Sequence, residues 1–286
     1  MNHPPNTPAT VALAIAGFDP SGGAGVLADM KTFAAHNCYG VAAVTALTVQ
    51  NTQGVSSVHP TDARVLKETL VSLLADGRIK AVKIGMLANR ENAEAVRETL
   101  EANPSLPAVL DPVFRSATGM DLLDRPGFEY LRDHLLGRVT VVTPNLAEAA
   151  ALTGLKVENQ EGMKAAAKKL VEMGARAVVV TGGHLDKAVD VLFDGQELEC
   201  FVGEHVKPDN THGTGCTFSS AIASNLAHGR QLSDAVVLAK AFVTEAIRKA
   251  YAVGPGRLPL NHLHRMQHNP RPIDLSPPAQ EPEPAP

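Results

Sequence analysis

The chain has 286 residues, of which 44% are hydrophobic, 26 are basic and 30 are acidic, giving a formal net charge of −4. This near-balance of charge gives no sign of a surface for nucleic acid or for a membrane, so small-molecule chemistry is the default expectation. The length suits one large α/β domain, since such folds often run past about 200 residues undivided.

We expect neither a signal peptide nor a membrane span. The N-terminus MNHPPNTPAT lacks a basic start and an apolar centre, and no apolar run approaches the roughly 18 residues of a span. The three cysteines, Cys38, Cys200 and Cys216, form no CxxC pair, so neither a disulfide framework nor a zinc site is predicted. These features together favour a cytoplasmic protein.

The first part of the chain alternates between apolar strand patterns and helix patterns. Residues 10–17 predict a strand that leads into a helix over residues 24–37, and the nearly continuous apolar run from Gly40 predicts a strand buried on both faces. Four helix–strand pairs follow, at residues 61–77 and 79–85, 89–103 and 107–111, 125–137 and 138–145, and 161–175 and 176–183. The alternation predicts a doubly wound α/β sheet.

The rest of the domain is predicted to close one edge of this sheet and to cover it. Two shorter runs, residues 188–195 and 196–203, meet at Asp194-Gly195 and predict an edge hairpin. One helix is predicted to begin near Gly213, and another to run from Ser233 as N-cap to Gly254. We therefore expect a single domain over residues 10–254. Residues 1–9 and the Pro-rich tail, residues 255–286, are expected to be largely disordered.

Glycines and polar residues cluster where the predicted strands end. In open α/β sheets, ligands bind at the carboxyl ends of the strands. The clusters are residues 19–25, Gln50-Asn51, Gly85-Met86, Asp111-Pro112, Asn145 with Glu148, Gly182-Gly183, and residues 213–216. Because they all fall at one edge of the sheet, they predict one ligand site.

The first cluster resembles a dinucleotide-binding turn. Gly23, Gly25 and Ala28 match G-x-G-x-x-A, after a strand and at the start of a helix. A dinucleotide site also needs an acidic residue about 20 positions further on, at the end of the second strand, where this chain has Gln50-Asn51. This weakens the hypothesis of a nicotinamide-linked dehydrogenase. From this stretch alone, a tight turn and a ligand site are equally favoured.

Oxygen-bearing side chains follow two of the later strands. Asp111 ends a strand, while Asn145 and Glu148 lie three residues apart on one face of a helix start. Such ligands suit Mg²⁺, which proteins usually hold with one or two carboxylates plus phosphate oxygens. Alternatively, Asn145 caps its helix with Glu148 as the partner in a capping box. Judged by these residues alone, the cap is favoured.

The segment Gly213-Thr214-Gly215-Cys216 opens a predicted helix. Its glycines allow successive N–H groups to face one space, and the helix dipole adds positive potential there, so we expect an anion site. The same position is expected to lower the pKa of Cys216. The alternative is that Cys216 is a small packing residue, as we expect for Cys38 and Cys200.

Seven segments together resemble a known family: AIAGFDPSGGAGVLADMKTF, VTALTVQNTQGV, KIGML, LDPV, VTPNLAEAAALTG, GGHL and NTHGTGC. They are similar to the hydroxymethylpyrimidine and phosphomethylpyrimidine kinases of thiamine biosynthesis, in the ribokinase-like superfamily, over residues 11–253. The resemblance implies a three-layer α/β/α sandwich with a mainly parallel central sheet, usually a homodimer. The implied activity uses Mg²⁺ and ATP to phosphorylate 4-amino-5-hydroxymethyl-2-methylpyrimidine and then its monophosphate.

The resemblance also implies residue roles. Gln50 hydrogen-bonds the pyrimidine edge, and Asp29, Met86 and Gly17 help to line its pocket. Cys216 lies over the substrate hydroxyl, at a position where many superfamily members place an aspartate base. The anion hole is assigned to Gly213, Thr214 and Gly215, and the Mg²⁺ site to Asp111, Asn145 and Glu148.

Two segments depart from the family's pattern. Relatives usually have lysine where this chain has Thr181, and MVAKSG where it reads FRSATG. Arg115 is the candidate for the missing positive charge, although arginine does not replace lysine freely.

Two alternative functions remain open beside the pyrimidine kinase. One is a pyridoxal kinase of the same superfamily, which Gln50 disfavours without excluding. The other is a catalytically silent ligand-binding relative, which the retained Asp111, Glu148 and GTGC segment disfavour.

Overall fold

A central sheet of nine strands organises the fold in the computed structural model, which describes residues 9–116, 118–183, 188–208 and 211–266. Its strands are β1 (Thr10–Phe18), β2 (Cys38–Asn51), β3 (Gly54–Pro60), β4 (Ile79–Ile84), β5 (Ala108–Leu110), β6 (Val141–Val142), β7 (Val178–Gly182), β8 (Ala188–Phe193) and β9 (Leu198–Gly203). Two short strands, β10 (Thr211–His212) and β11 (Leu258–Pro259), pair with each other outside it.

Helices cover both faces of the sheet. Those found in the described part of the chain are α1 (Gly25–Ala35), α2 (Ala63–Ala75), α3 (Arg90–Ala102), α4 (Arg125–Tyr130), α5 (Leu146–Thr153), α6 (Gln160–Glu172), α7 (Thr214–Ala227) and α8 (Leu232–Arg248). None of these helices combines the length and the apolar composition needed to cross a bilayer.

The strand order is β3-β2-β1-β4-β5-β6-β7-β8-β9. Strands β2, β1, β4, β5, β6 and β7 run parallel, whereas β3, β8 and β9 are antiparallel to their neighbours. The chain places β2 on one side of β1 and β4 on the other, so the connections diverge at the carboxyl end of β1. A crevice at such a divergence is where open α/β sheets bind ligands.

Two apolar layers sandwich the sheet and explain its nearly continuous apolar strands. In β1, Leu13 and Ile15 face the layer formed with α2 to α6, while Ala12 and Ala14 face the layer formed with α1, α7 and α8. All four side chains are fully buried. The predicted three-layer α/β/α fold with a mainly parallel sheet is therefore confirmed.

Several element boundaries differ from the sequence prediction. Strand β3 was not predicted, and the helix expected over residues 125–137 changes after Tyr130 into a π-helical turn (Leu131–Leu135) and a 3₁₀ turn (Leu136–Arg138). Helix α8 has Gln231 at its N-cap and ends at Arg248, before Gly254. Ser233 does not cap it, because its hydroxyl donates instead to Glu199 Oε2 at 2.8 Å.

The C-terminal segment corrects the predicted domain boundary. Residues 255–266 were expected to be disordered, yet β11 pairs with β10, and Leu260 is fully buried in the layer with α7 and α8. His262 and His264 are also buried. The domain therefore extends past residue 254 to residue 266, while the predicted disorder of residues 1–8 and 267–286 falls outside the described residues.

Candidate active site

A cavity of about 380 Å³ opens at the carboxyl ends of the parallel strands. This is within the usual range for small-molecule sites, roughly 300 to 1,000 Å³. Among the residues predicted for the site, those that line the cavity are Gly17, Gln50, Met86, Asp111, Asn145, Glu148, Gly213, Thr214, Gly215 and Cys216. The structure thus brings together all the predicted site residues except Asp29.

The GTGC segment forms the first turn of α7, as predicted. Gly213 is the N-cap with φ +86°, and a Cβ at this position would overlap the carbonyl oxygen of Gly23. No side chain caps the helix. Because the first N–H groups of an α-helix have no partner within the helix, this turn can offer them to an anion in the cavity.

Cys216 has a different acidity from the one expected for a helix N-terminus. Burial, together with the charges of Asp111 and Asp29, raises the pKa of its thiol to about 12, although Lys83 acts in the opposite direction. The thiol is a hydrogen-bond partner of the Asp111 carboxylate. The expected lowering of the pKa is therefore wrong, because desolvation and two carboxylates outweigh the helix terminus and one lysine.

The other two cysteines differ from each other. Cys38 is buried, as expected for a packing residue, and burial raises the pKa of its thiol to about 11. Cys200 is exposed on β9, where its sulfur accepts a hydrogen bond from Gln160 Nε2 at 3.3 Å. The expectation that Cys200 is a packing residue is thus not met.

Asp29 lies beneath the cavity and does not line it. Its carboxylate is fully buried, 2.9 Å from Lys83 Nζ, and accepts a hydrogen bond from Ser220 Oγ at 2.7 Å. Burial alone would lower the pKa of Lys83, but Asp29 and the other nearby acidic groups raise it, so the lysine stays charged. Asp29 therefore holds a buried lysine under the site, and the predicted place in the substrate pocket is corrected.

Asp111 and Glu148 form a buried acidic pair. Burial raises the pKa of Asp111 to about 6, and burial together with the charge of Asp111 raises the pKa of Glu148 to about 8. Gly215 lies against Asp111, since a Cβ there would be 3.5 Å from Asp111 Oδ2. A bound cation would relieve the unfavourable burial of these two carboxylates.

Asn145 caps α5 as its sequence pattern favoured. Its Oδ1 accepts from Glu148 N–H at 2.9 Å, and Glu148 Oε2 accepts from Asn145 N–H at 2.9 Å. The side-chain oxygen of Asn145 is thus used by the helix. The cap also fixes Glu148 at the cavity wall, and the metal-binding role predicted for Glu148 stays a prediction.

The end of β1 packs directly against Met86. A Cβ at Gly17 would lie 2.7 Å from Met86 Sδ, so only glycine leaves room for this side chain. Thr45 Oγ1 donates to the Met86 carbonyl oxygen at 2.6 Å and holds the backbone there. Gly17 and Met86 therefore shape one wall together, consistent with the predicted pocket.

Gln50 is linked to two polar residues that the sequence analysis did not assign. Its side-chain amide lies 3.0 Å from His212 Nε2, and the same nitrogen lies 3.0 Å from Asp19 Oδ2. The sequence signals were the presence of His212 in the NTHGTGC segment and of Asp19 in the first polar cluster. Neither signal indicated that the two residues meet.

Two of the cations that line the cavity are paired with carboxylates. Arg115 is 3.0 Å from Asp121 and more than half exposed. Lys240 of α8, which no sequence signal indicated, lies 2.6 Å from Asp190 Oδ2. Thr181 also lines the cavity, at the end of β7. Arg115 and Lys240 thus bring positive charge to the cavity, although position 181 has threonine where relatives usually have lysine.

Comparison with known proteins gives matches over most of the chain. Residues 19–261 match the family model for phosphomethylpyrimidine kinase. A hydroxymethylpyrimidine/phosphomethylpyrimidine kinase of Aquifex aeolicus is 46% identical over 248 residues, covering 86% of this chain and 97% of that protein.

Solved structures give a second set of matches. An ADP complex of Bacillus subtilis pyridoxal kinase has a TM-score of 0.83 and 36% identity, covering 91% of this chain and 100% of that one. A Staphylococcus aureus pyridoxal kinase in complex with AMP-PCP and pyridoxal has a TM-score of 0.80 and 36% identity, covering 90% and 96%. The chain is therefore similar both to pyrimidine kinases and to pyridoxal kinases.

Proposed function

Because the chain belongs to the phosphomethylpyrimidine kinase family, we propose that it phosphorylates 4-amino-5-hydroxymethyl-2-methylpyrimidine with ATP, and then phosphorylates the monophosphate to the diphosphate. The observation that carries this proposal is the shared cavity. Gln50, Cys216 and the first turn of α7 line it together with the buried Asp111 and Glu148.

The first turn of α7 is proposed to hold the migrating phosphoryl group. In a loose transition state, this group carries negative charge on its equatorial oxygens, and preorganised N–H donors stabilise that charge. The conformation of Gly213, which allows α7 to start here, supports this role. Phosphoryl transfer to either acceptor would use the same turn.

Mg²⁺ is the cofactor that fits the acidic pair. The described residues contain no cluster of three or more His, Cys, Asp or Glu side chains suited to a metal, whereas a magnesium ion bound with ATP needs only one or two carboxylates. Burial raises the pKa values of both carboxylates, although Lys83 acts in the opposite direction on Asp111, so a cation bound by the pair would lower both pKa values. When bound, the ion would neutralise charge on the transferred phosphate. Asp111 and Glu148 would hold it, while Asn145 would position Glu148.

Cys216 is proposed to serve the substrate hydroxyl in the first step. The alcohol must lose a proton, whereas the monophosphate, with a second pKa of about 6, is mostly dianionic at neutral pH and needs no base. Because the pKa of Cys216 is raised to about 12, its sulfur must give up its own proton before it can take the one from the hydroxyl. The Asp111 carboxylate, its hydrogen-bond partner, would receive that proton. The positive charge of Lys83 lowers the pKa of Cys216 and so favours this loss of the proton.

A measurement of ADP release with each acceptor tests this function. We expect turnover of the alcohol and of the monophosphate by the wild type. Cys216→Ala should slow the alcohol step by about 10²- to 10⁴-fold, the usual size of a general-base effect, and slow the monophosphate step much less. Cys200→Ala, which alters an exposed cysteine, is the matched control and should behave like the wild type. Equal losses for both acceptors would show that Cys216 positions the donor phosphate.

Pyridoxal is the second candidate substrate, and the likeness to two pyridoxal kinase structures favours it. Side-by-side turnover of pyridoxal and the pyrimidine alcohol decides between them. If pyridoxal is turned over faster, pyridoxal and not the pyrimidine alcohol is the main substrate.

We also propose that the enzyme is a cytoplasmic homodimer. Exposed Leu47 and Val49 on β2, next to the edge strand β3, supply apolar surface for a partner subunit. The three cysteines are unpaired thiols, which suits a reducing compartment.

A further inference from the structure

His212 lies between the loop that follows β1 and the side chain of Gln50. Its Nε2 atom is 3.0 Å from Asp19 Oδ2 and 3.0 Å from the atom placed as Gln50 Nε2. Its ring packs closely on Gly23, where a Cβ would come 2.5 Å from His212 Cδ2. The histidine is therefore held in place between the turn and the cavity wall.

Asp19 acts only as an acceptor in this contact. Its Oδ1 accepts from Ser21 N–H at 2.8 Å and from Ser21 Oγ at 2.7 Å, and its Oδ2 accepts from Ala24 N–H at 2.9 Å. Burial by itself would raise the pKa of Asp19, but hydrogen bonds from His212, Ser21 and Ala24 outweigh burial and lower it. Because an ionised carboxylate cannot donate, the hydrogen in the contact belongs to His212 Nε2.

This assignment determines how the Gln50 amide must face. A protonated Nε2 has no lone pair, so it cannot accept from an amide N–H. The oxygen and nitrogen of the Gln50 amide must therefore exchange places, with the oxygen toward His212. The atom placed as Gln50 Oε1 lies 3.2 Å from Thr48 Oγ1, but the single Thr48 proton goes to the nearer Phe18 carbonyl oxygen at 2.9 Å. Thr48 can therefore accept from the amide nitrogen. In this orientation the single N–H of His212 Nε2 is shared between Asp19 Oδ2 and the amide oxygen, and the amide nitrogen donates to Thr48. The opposite orientation would set two donors against each other at His212 and two acceptors at Thr48.

We propose that the Asp19–His212 pair fixes the Gln50 amide in one orientation and so makes the cavity specific for a ring with adjacent donor and acceptor groups in one order. The inference rests on the proposed function, because the 4-amino pyrimidine alcohol offers an exocyclic amine beside a ring nitrogen. His212 is thus a positioning residue that acts through Gln50.

The 4-oxo analogue of the substrate, 5-hydroxymethyl-2-methylpyrimidin-4(3H)-one, reverses this order. Its exocyclic oxygen accepts and its ring N–H donates. An amide that could turn freely would serve both rings equally, whereas a fixed amide leaves polar groups unpaired with one of them. The ratio of the two KM values therefore reports the orientation of Gln50.

The experiment compares both alcohols in the wild type and in two His212 variants. The wild type should have a KM for the 4-amino alcohol about 10-fold or more below that for the 4-oxo alcohol. His212→Phe keeps a ring without the donor, so the ratio should fall toward one, while KM for ATP changes by less than about 3-fold. His212→Gln keeps an N–H donor near the Nε2 position and should restore the ratio.

A double mutant separates positioning from a general structural effect. In a Gln50→Ala background, His212→Phe should not change the ratio further, since the side chain through which it acts is gone. Thermal melts verify that each variant is folded, and His212→Met, which also lacks the donor, gives a second test if His212→Phe melts early.

The possible failures are distinguishable. A wild type that turns over the 4-amino alcohol without preferring it, or a ratio unchanged in folded His212→Phe, would overturn the orientation inference alone. A wild type that turns over neither pyrimidine alcohol would overturn the proposed function.

Discussion

At the scale of single residues, the acidic pair of the cavity has the most direct thermodynamic consequence. The pKa of Glu148 is raised to about 8 by burial and by the charge of Asp111. The folded chain therefore holds a proton on Glu148 at pH values where the unfolded chain, with an ordinary glutamate, has released it. Stability from this group is present at low pH and is lost as the pH rises from about 4.5 to about 8.

Replacing Glu148 with glutamine should remove this dependence. Glu148→Gln keeps an oxygen for Asn145 N–H, so the capping box remains. We expect the free energy of unfolding of the variant, relative to the wild type, to increase by on the order of 1–3 kcal/mol between pH 5 and pH 9. Chemical denaturation at a series of pH values, without metal, measures it.

The matched control and a magnesium titration sharpen this test. Glu91→Gln changes an exposed glutamate in the first turn of α3 and should show no such trend. Mg²⁺ added at pH 8 should raise the Tm of the wild type more than that of Glu148→Gln. A constant difference between Glu148→Gln and the wild type over the whole pH range would contradict the raised pKa.

At the scale of elements, the C-terminal segment supports the helix that forms the anion hole. His262 Nε2 lies 3.0 Å from Thr217 Oγ1, in the first turns of α7, and Thr217 Oγ1 donates to the Gly213 carbonyl oxygen at 2.8 Å. The His262 ring is also hydrogen-bonded to the backbone of Leu260, so it links the C-terminal segment to the first turns of α7. The segment also reaches the turn between β2 and β3, where Arg257 N–H donates to the Thr52 carbonyl oxygen at 2.8 Å.

Removing the polar ring of His262 should weaken both stability and catalysis. We expect His262→Phe to lower the free energy of unfolding at pH 7 by about 1–3 kcal/mol, because the buried Thr217 hydroxyl loses a hydrogen-bond partner. It should slow phosphorylation of both acceptors alike, unlike Cys216→Ala. His262→Gln keeps a side chain that can donate and accept, and is the control.

The pH dependence of this loss follows from the acidity of His262. Burial lowers the pKa of His262 to about 4, so the unfolded chain binds more protons between about pH 4 and 6.5. The stability that the wild type gains from neutral His262 is therefore lost as the pH falls through that range. The difference in free energy of unfolding between the wild type and His262→Phe should shrink with it. Melts at pH 5 and pH 7 measure both gaps, and a gap that is larger at pH 5 would contradict a neutral buried His262.

The elements that the sequence predicted well are those with long apolar or amphipathic patterns. Strands β1, β2, β4 and β7 and helices α1, α2, α3 and α6 lie close to their predicted positions. The segment that contains β11 reads AVGPGRLPLNH, and its glycines and prolines hide a buried Leu260. Its order depends on contacts with distant residues such as Thr217 and Thr52, which no local pattern reveals.

Some features of the candidate site could also be predicted from the sequence, and others could not. Strand ends and the GTGC segment predicted which residues line the cavity, because the carboxyl ends of parallel strands meet at one edge. The acidity of Cys216, the burial of Asp29 and the pairing of His212 with Asp19 were not predictable. Each of these depends on tertiary neighbours that lie more than 50 residues away along the chain.

At the scale of the whole molecule, the sheet leaves apolar side chains uncovered at one end. The register of β2 against β1 shifts between Val44 and Leu47, and beyond this shift Leu47 and Val49 remain 57% and 55% exposed. They lie opposite His59 and Ser57 of the edge strand β3. Neighbouring exposed apolar residues beside a polar strand are typical of a surface that a second subunit covers.

Introducing charge on this surface tests the proposed homodimer. We expect the wild type to have the mass of a dimer in light scattering, and Leu47→Asp with Val49→Asp to have the mass of a monomer, because two carboxylates buried at a symmetric interface would face their copies without partners. Val237→Asp is the matched control, since Val237 is 47% exposed on α8 and not on β2, and this variant should remain dimeric. A monomeric wild type, or a double variant that keeps the dimer mass, would contradict this interface. Gln50 follows Val49 on the same strand, so loss of the partner should also raise KM for the pyrimidine alcohol more than KM for ATP.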